Sequence, residues 1–465
     1  MDLSDRHTRE GVTARLAERY AGRPVLMGPG VLAAYTSQVE WFRELGCPVL
    51  VVATARGVGP LPEPGTCEVV EVVPPPASTM TDEVRQLDRL ARHPPPAAAA
   101  AIEAFDPGRR GVWFASPFVT NDQPIDGRPV AFGRPAAILA LEDKMLADAI
   151  WDDAGVAHAA YRVVPNDEAA LAAATAELSG PLGTVWSGDA RDGVNGGGNY
   201  VRWIVDENDQ RTATWFFRPR CDRIRVMPFL EGVPCSIHGY VLPDGTAAFR
   251  PVEIVCLRDV ARRLFVYAGL GTYWDPPEAD REEMRAIARR VGDHLAAAHR
   301  YRGAFGIDGV LTADGFRPTE LNTRMSGGAV VVCDTDRRFF TLLQAELVSG
   351  HDVDVTPADL ETMVPLMDAE RVGRVAAIGQ GVALGGTFSY PVSYDGRRME
   401  RSVVETGNML SGADTPHGFI AKVEPCVALR RGQRLAEINL ALAELMDREH
   451  GAGFGALEAG ADVRR

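Results

Sequence analysis

A chain of 465 residues, 46% hydrophobic and 24% charged, has an ordinary globular composition and enough length for about two to four structural units. A formal net charge of −14 argues against a nucleic-acid polyanion as the main partner, and no apolar run is long enough to span a bilayer. The seven cysteines (Cys47, Cys67, Cys221, Cys235, Cys256, Cys333, Cys426) are scattered without C-x-x-C spacing, and Met1-Asp2-Leu3-Ser4-Asp5 lacks the basic and apolar regions of a signal peptide. Reduced thiols and a cytoplasmic protein are therefore expected, with neither a disulfide frame nor a zinc site.

Residues 1–135 read as an α/β unit. The short strand Pro24-Val25-Leu26-Met27 ends in Gly28-Pro29-Gly30, a helix is predicted over 31–45, and a strand over 48–53. Strand–helix–strand order predicts a parallel sheet. Gly28-Pro29-Gly30 has no third glycine at the offset a dinucleotide site requires. Pro74-Pro75-Pro76 and Pro94-Pro95-Pro96 mark loops, and Val112-Trp113-Phe114 is a further strand.

From Ala136 the pattern changes. Ile138, Leu141, Met145, Leu146 and Ile150 recur at helical spacing, predicting an amphipathic helix that carries Glu142-Asp143-Lys144 and ends at Gly155. Of 49 basic residues only Lys144 and Lys422 are lysines, which marks a lysine as a pointer to chemistry that suits a compact ammonium better than a planar guanidinium. A second helix is expected over 167–178, with Asn166 as its N-cap. Between strands at 184–189 and 200–205 lies a glycine-dense loop, Ala190 to Asn199. Its Gly196-Gly197-Gly198 run can bring backbone N–H groups onto phosphates, although a simple turn has the same composition. Residues 223–232 read as a buried strand leaving into a turn, 236–241 and 247–257 as an antiparallel pair closed by Asp244-Gly245, and 278–300 as an amphipathic helix. A final helix is expected over 435–449.

The hairpin that follows the long helix carries the most chemistry. Ile307 to Thr312 is one strand, Ala313-Asp314-Gly315 the turn, and Phe316 to Asn322 the returning strand. A period of two puts Glu320 and Asn322 on one face, and hairpin pairing can bring Asp308 beside them. Two carboxylates and an amide suit Mg²⁺. A surface hairpin with solvated acids fits the same spacing.

Taken in order, Asp143-Lys144, the glycine loop before Tyr200, Met227-Pro228-Phe229-Leu230-Glu231-Gly232, and Asp308 with Glu320-Leu321-Asn322-Thr323-Arg324 resemble the ATP-grasp superfamily of carboxylate–amine ligases over roughly residues 136–328. Within it, Phe229-Leu230-Glu231-Gly232-Val233-Pro234-Cys235-Ser236 and the Glu320–Arg324 run look most like the pheganomycin-type peptide ligases of actinobacteria. The resemblance implies an α/β and α+β ATP-grasp fold in three parts: an N-terminal α/β domain (1–135), a nucleotide- and metal-binding region (136–345, lid about 156–230), and a mixed C-terminal region (346–465). It implies ATP and Mg²⁺ as cofactors, with Asp308, Glu320 and Asn322 as metal ligands and Lys144 on nucleotide phosphate. Gly196, Gly197 and Gly198 would form the lid loop, with Met227, Pro228, Phe229, Leu230 and Glu231 at the adenine and ribose. Arg324 would hold the carboxylate or the transferring phosphoryl group, Arg258 would line the acid site and Glu253 would orient the amine.

The implied reaction joins a carboxylic or amino acid to the amine of an amino acid or peptide through an acylphosphate, in natural-product biosynthesis. Partners are these small molecules, with no nucleic acid or membrane, and with homo-oligomerisation left open. The chain departs from the family where Val185-Trp186-Ser187 replaces a second lysine. Arg191 or Arg202 is then the candidate substitute, or the Trp186 indole packs on the nucleotide. Pro234 stands where a ribose-binding glutamate is common, so Glu231 is expected to take that contact, and Gly306 stands where an arginine often precedes the metal aspartate. Two further readings stay open: a carboxylase working through carboxyphosphate, and a nucleotide-binding protein without turnover.

Overall fold

The computed structural model describes residues 1–77, 79–196, 198–404, 407–415, 417–424 and 429–464. Gly197 and Cys426 lie outside the described residues. Among those described, no helix is long and apolar enough to cross a membrane.

The N-terminal part holds a five-stranded parallel sheet in the order Glu68–Glu71, Val49–Ala55, Val25–Val31, Val112–Phe114, Val130–Ala131. Val49–Ala55 is apolar over most of its length because helices cover both faces, as parallel strands require. The first strand runs on to Val31, and a 3₁₀ turn at Leu32–Ala34 delays the predicted helix to Thr36–Glu44. This unit shares a core with the helix Arg337–Val348, whose Phe339 and Leu343 pack among Val12, Leu16 and Phe42.

Residues 162–228 form a separate four-stranded antiparallel sheet, ordered Arg162–Pro165, Arg223–Pro228, Thr184–Gly188, Val201–Ile204. The helices Glu168–Leu178 and Glu207–Phe217 cover one face of it, burying Leu171, Trp186, Phe217 and Ile224. The first helix is capped by Asp167, whose carboxylate accepts from the N–H groups of Ala169 and Ala170, and not by Asn166.

The third sheet has twelve strands, and its main path runs Gly315–Asn322, Gly303–Thr312, Val233–Leu242, Val252–Asp259, Leu264–Gly271, Gly373–Gln380, Gly418–Glu424 and onward. The predicted single strand over 247–257 is broken into Gly245–Ala248 and Val252–Asp259 at Pro251, which has no N–H to donate. Alternation divides the two faces of this sheet. Cys235, Ile237, Ile307 and Leu321 pack under the helix Glu278–His299, while Val375, Ala377, Ala421 and Val423 further along pack on Leu435–His450. On the other face Tyr240, Val252 and Leu270 pack with Ala329, Val332 and Phe340. The sheet is continuous from the hairpin into the C-terminal region, because Gly373–Gln380 pairs directly with Leu264–Gly271.

Candidate active site

The helix expected over 136–155 is interrupted at Asp143, whose extended backbone and carboxylate, accepting from the Met145 N–H at 3.0 Å, start a new helix at Lys144. That restart aims Lys144 at the hairpin, where its Nζ lies 2.6 Å from Glu320 Oε2. Asp308 is the direct cross-strand partner of Glu320, and a bulge places Thr319 outside the ladder between Glu320 and Pro318. The Asn322 side-chain amide donates to Asp308 Oδ2 at 3.0 Å. The hairpin thus brings Asp308, Glu320, Asn322 and Lys144 together.

Burial first, and then the Glu320 carboxylate across the ladder, push Asp308 up to about 7 against the pull of Arg324, Asn322 and Lys144. Two opposed carboxylates beside an amide are a hard oxygen donor set, and a divalent cation would relieve their mutual repulsion. Among the described residues no group of three or more His, Cys, Asp or Glu is arranged to hold a metal, so the donor set here consists of two carboxylates and one amide.

Arg324 lies beyond the end of the strand at Asn322, near enough for its charge to act on Asp308. Its guanidinium pairs with Glu142 and sits 4.8 Å from the centre of the Phe118 ring. Glu142 also takes Arg134 and the N–H of Thr323, the latter at 2.9 Å. This buried carboxylate fixes Arg324 at the rim of the acid cluster. The neighbouring acid in Glu142-Asp143-Lys144 was the sequence signal for it. Burial pushes Glu142 up, but Arg134 and Arg324 together outweigh that and hold it below the usual carboxylate range. A lowered folded-state value means that the ionised form contributes stability above the unfolded value of about 4.3, and the contribution is lost as pH falls through the folded value. Glu142→Gln, which does not titrate, should therefore be less stable than wild type at pH 7, with the difference shrinking below about pH 4.3. Urea unfolding at both ends of that range checks it.

Several expected contacts are spent elsewhere. Trp186 is fully buried on the helix side of the four-stranded sheet, its indole donating to Thr175 Oγ1 at 3.0 Å, so it does not pack on a nucleotide. Arg202 is its direct cross-strand partner and shares that side, lying 3.7 Å from the Phe216 ring centre. Arg191 is tied to Asp222 at 3.1 Å and to the Pro219 carbonyl at 2.6 Å. None of the three replaces a second lysine. The face turned toward the hairpin carries Val185, Met227 and Trp203, with Arg225 as its basic residue. Arg225 is held by Asp148 at 2.5 Å and reaches the Thr319 carbonyl at 2.9 Å, joining the four-stranded sheet to the bulge.

At the hinge, Met227 is buried at the end of its strand, followed by Pro228 and the half-buried Leu230. Phe229 stacks against Trp203 (4.9 Å between centroids), and its N–H is already given to the Gly183 carbonyl at 3.0 Å. Glu231 makes a bidentate pair with Arg258 (2.5 and 2.8 Å) and accepts from the Gly232 and Ala461 N–H groups, which leaves it committed to the chain and not to a ribose. The same pair removes Arg258 from an acid site and sets it 4.8 Å from the Phe229 ring centre. Glu253 is fully buried, accepting from Arg434 at 2.5 Å and from the Leu435 N–H at 2.6 Å at the start of the last long helix, so it does not orient an amine.

The glycine loop lies against the N-terminal domain. Thr81 Oγ1 accepts from the Gly196 N–H at 3.1 Å and donates to its carbonyl at 2.9 Å, while Arg85 holds Val194 and Asn195. Gly198 has φ +72, a conformation that favours glycine. On the far side Gln380 reaches Asn199 at 3.1 Å. The loop is therefore tied to the N-terminal unit on one side and to the end of the strand Gly373–Gln380 on the other. Gly306 is explained by His238, because a Cβ there would stand 2.5 Å from the imidazole Nδ1. His238 is buried, bonded to Ser236 Oγ at 2.7 Å, and held neutral by burial, with its pKa pushed down to about 3.

No protein-family model matches the sequence, and no curated protein matches it. Solved structures do. The biotin carboxylase domain of Hydrogenobacter thermophilus 2-oxoglutarate carboxylase, in complex with MgADP, ADP and bicarbonate, is 15% identical, with 86% of this chain and 85% of that chain covered at a TM-score of 0.56. Phosphoribosylamine–glycine ligase from Thermotoga maritima is 14% identical, with 95% of this chain and 99% of that one covered at a TM-score of 0.54. This is the ATP-grasp fold. N5-carboxyaminoimidazole synthase from Aspergillus clavatus, in complex with ADP and 5-aminoimidazole ribonucleotide, is similar over 92% of this chain and all of its own (100%), at 13% identity and a TM-score of 0.54. The four-stranded sheet is separate from the large sheet, to which the acid hairpin belongs.

Proposed function

We propose that the protein is an ATP-dependent ligase that joins a carboxylic or amino acid to the amine of an amino acid or peptide, releasing ADP and phosphate. The observation that carries this reading is Lys144 in contact with Glu320, directly opposite the buried Asp308. In this reading the substrate carboxylate attacks the γ-phosphate of ATP to give an acylphosphate and ADP. The amine then attacks the acyl carbon and phosphate leaves. Lys144 binds the phosphate as a point charge, Arg324 meets the developing charge from the rim, and the lid loop keeps water from the acylphosphate. Asp308, Glu320 and Asn322 would hold Mg²⁺, which supplies charge neutralisation at the β- and γ-phosphates. The pheganomycin-like runs at 229–236 and 320–324 support peptide ligation in natural-product biosynthesis as the finer form.

The test is phosphate release by the purified protein with Mg²⁺, ATP and pooled amino acids and peptides, followed by mass spectrometry of the product. Amine-dependent release with a new amide is the expected result. ATP binding without release under any pool would overturn the reading. Likeness to a biotin carboxylase domain bound to bicarbonate favours a second reading, carboxylation through carboxyphosphate. Release that depends on bicarbonate and not on an amine would establish that one instead.

A further inference from the structure

Directly opposed residues on neighbouring strands project from the same face. The pairs Glu320–Asp308, Asp308–Ser236 and Ser236–Val252 carry the acid-bearing face across three further strands. Two residues along from Val252, Ile254 opposes Leu270, and Leu270 opposes Arg374. Arg374 therefore stands on the same face as the acid cluster. Ala376 opposes Lys422, which adds the second lysine of the chain to that face. The strand bearing both Arg374 and Ala376 ends at Gln380, where the glycine loop meets it.

Other arginines here are occupied: Arg258 with Glu231, Arg371 with Asp275, Arg337 with Asp334, Arg434 with Glu253. Among the described residues neither Arg374 nor Lys422 forms an ion pair or a side-chain hydrogen bond. Burial, and then the charge of Arg337, weigh against the Arg374 guanidinium, with Asp334, Tyr267 and Glu424 too distant to pair with it. Tyr267, on the strand next to that of Arg374, opposes Cys256, which lies two residues along from Ile254, so it projects from the same face. Asp334 and Glu424 lend the Arg374 guanidinium favourable charge but do not offset its desolvation, and a partly buried cation outside any ion pair is costly unless an anion completes it.

We infer that Arg374, flanked by Tyr267 and Lys422, forms an anion subsite for a substrate carboxylate that is not the one activated. This rests on the ligase reading. The path from Asp308 to Arg374 crosses four strand spacings, about 19 Å along the sheet. A single phosphoryl group cannot meet both ends, so the anion is the far end of a substrate. A planar guanidinium beside a phenol suits a carboxylate. It can come from a diacid, as its second carboxylate, or from the amine substrate, as its own carboxylate.

Calorimetric titration of the full chain, saturated with MgADP, distinguishes these sources. Glutarate probes the diacid and L-alanyl-L-alanine the amine substrate, each beside its carboxamide. One of the two acids is expected to bind the wild type, to weaken about 10- to 100-fold in Arg374→Gln, and to recover partly in Arg374→Lys, while the carboxamides bind both proteins alike. Absence of binding by either acid, or equal binding by wild type and Arg374→Gln, overturns the subsite. MgADP affinity, measured alongside, is expected to be unchanged in both variants, which shows that they are folded. Failure of MgADP to bind wild type would break the ligase reading, while the glutarate and dipeptide comparison, repeated without nucleotide, still decides the subsite.

Discussion

Glu320→Gln is expected to lower ATP-dependent phosphate release by at least about 100-fold while leaving the protein folded. The substitution keeps the shape of the side chain and removes one of two opposed charges from the donor set. It also takes from Lys144 the carboxylate that now fixes its ammonium at 2.6 Å. Asp308, relieved of its neighbour's charge, should ionise more readily, so the loss cannot come from a failure of Asp308 to deprotonate. Mg²⁺ titration of the nucleotide-bound variant should show weakened metal affinity in parallel. Activity within a few-fold of wild type would remove Glu320 from the metal site.

Asp148→Ala should cost about 3–5 kcal/mol of stability, because it strands the Arg225 guanidinium without its carboxylate in a buried position. Both side chains are 1% exposed, and the two contacts are 2.5 and 2.6 Å. The charge pair joins the helix that begins at Lys144 to the strand Arg223–Pro228 of the four-stranded sheet, and Arg225 reaches on to the Thr319 bulge. Asp148→Leu combined with Arg225→Met removes both charges and should recover most of the loss. Denaturant unfolding of the two single variants and the double variant gives the coupling between the partners. A single-variant cost below about 1 kcal/mol would show that the pair is solvated in solution.

The difference between what was legible in the chain and what was not follows from the range of the interactions. The acid hairpin was readable as a hairpin because a turn at Ala313-Asp314-Gly315 and a period-two strand are local, but the register of that turn alone would set Asp308 against Thr319, and the bulge at Thr319 is what brings Glu320 opposite it. The Glu142-Asp143-Lys144 run announced the lysine, although not the helix restart that aims it. Trp186 was misplaced because alternation within a strand specifies two faces without saying which one a helix will cover. Glu231, Arg258 and Glu253 were misassigned for another reason. Their counter-charges come from distant stretches of the chain, Arg434 lying 181 residues beyond Glu253.

The amino-acid sequence by itself determined the order of the elements, the acid hairpin and the run that carries Lys144, because each depends on spacing within a few turns or strands, whereas the contact of Lys144 with Glu320 is tertiary. Only the tertiary structure decided which cations remain available for substrate. Ion pairs form between residues remote in the chain, so Arg258 is spent on Glu231 while Arg374 stays open on the shared face. Charge type is written locally, but charge compensation is a property of the folded whole.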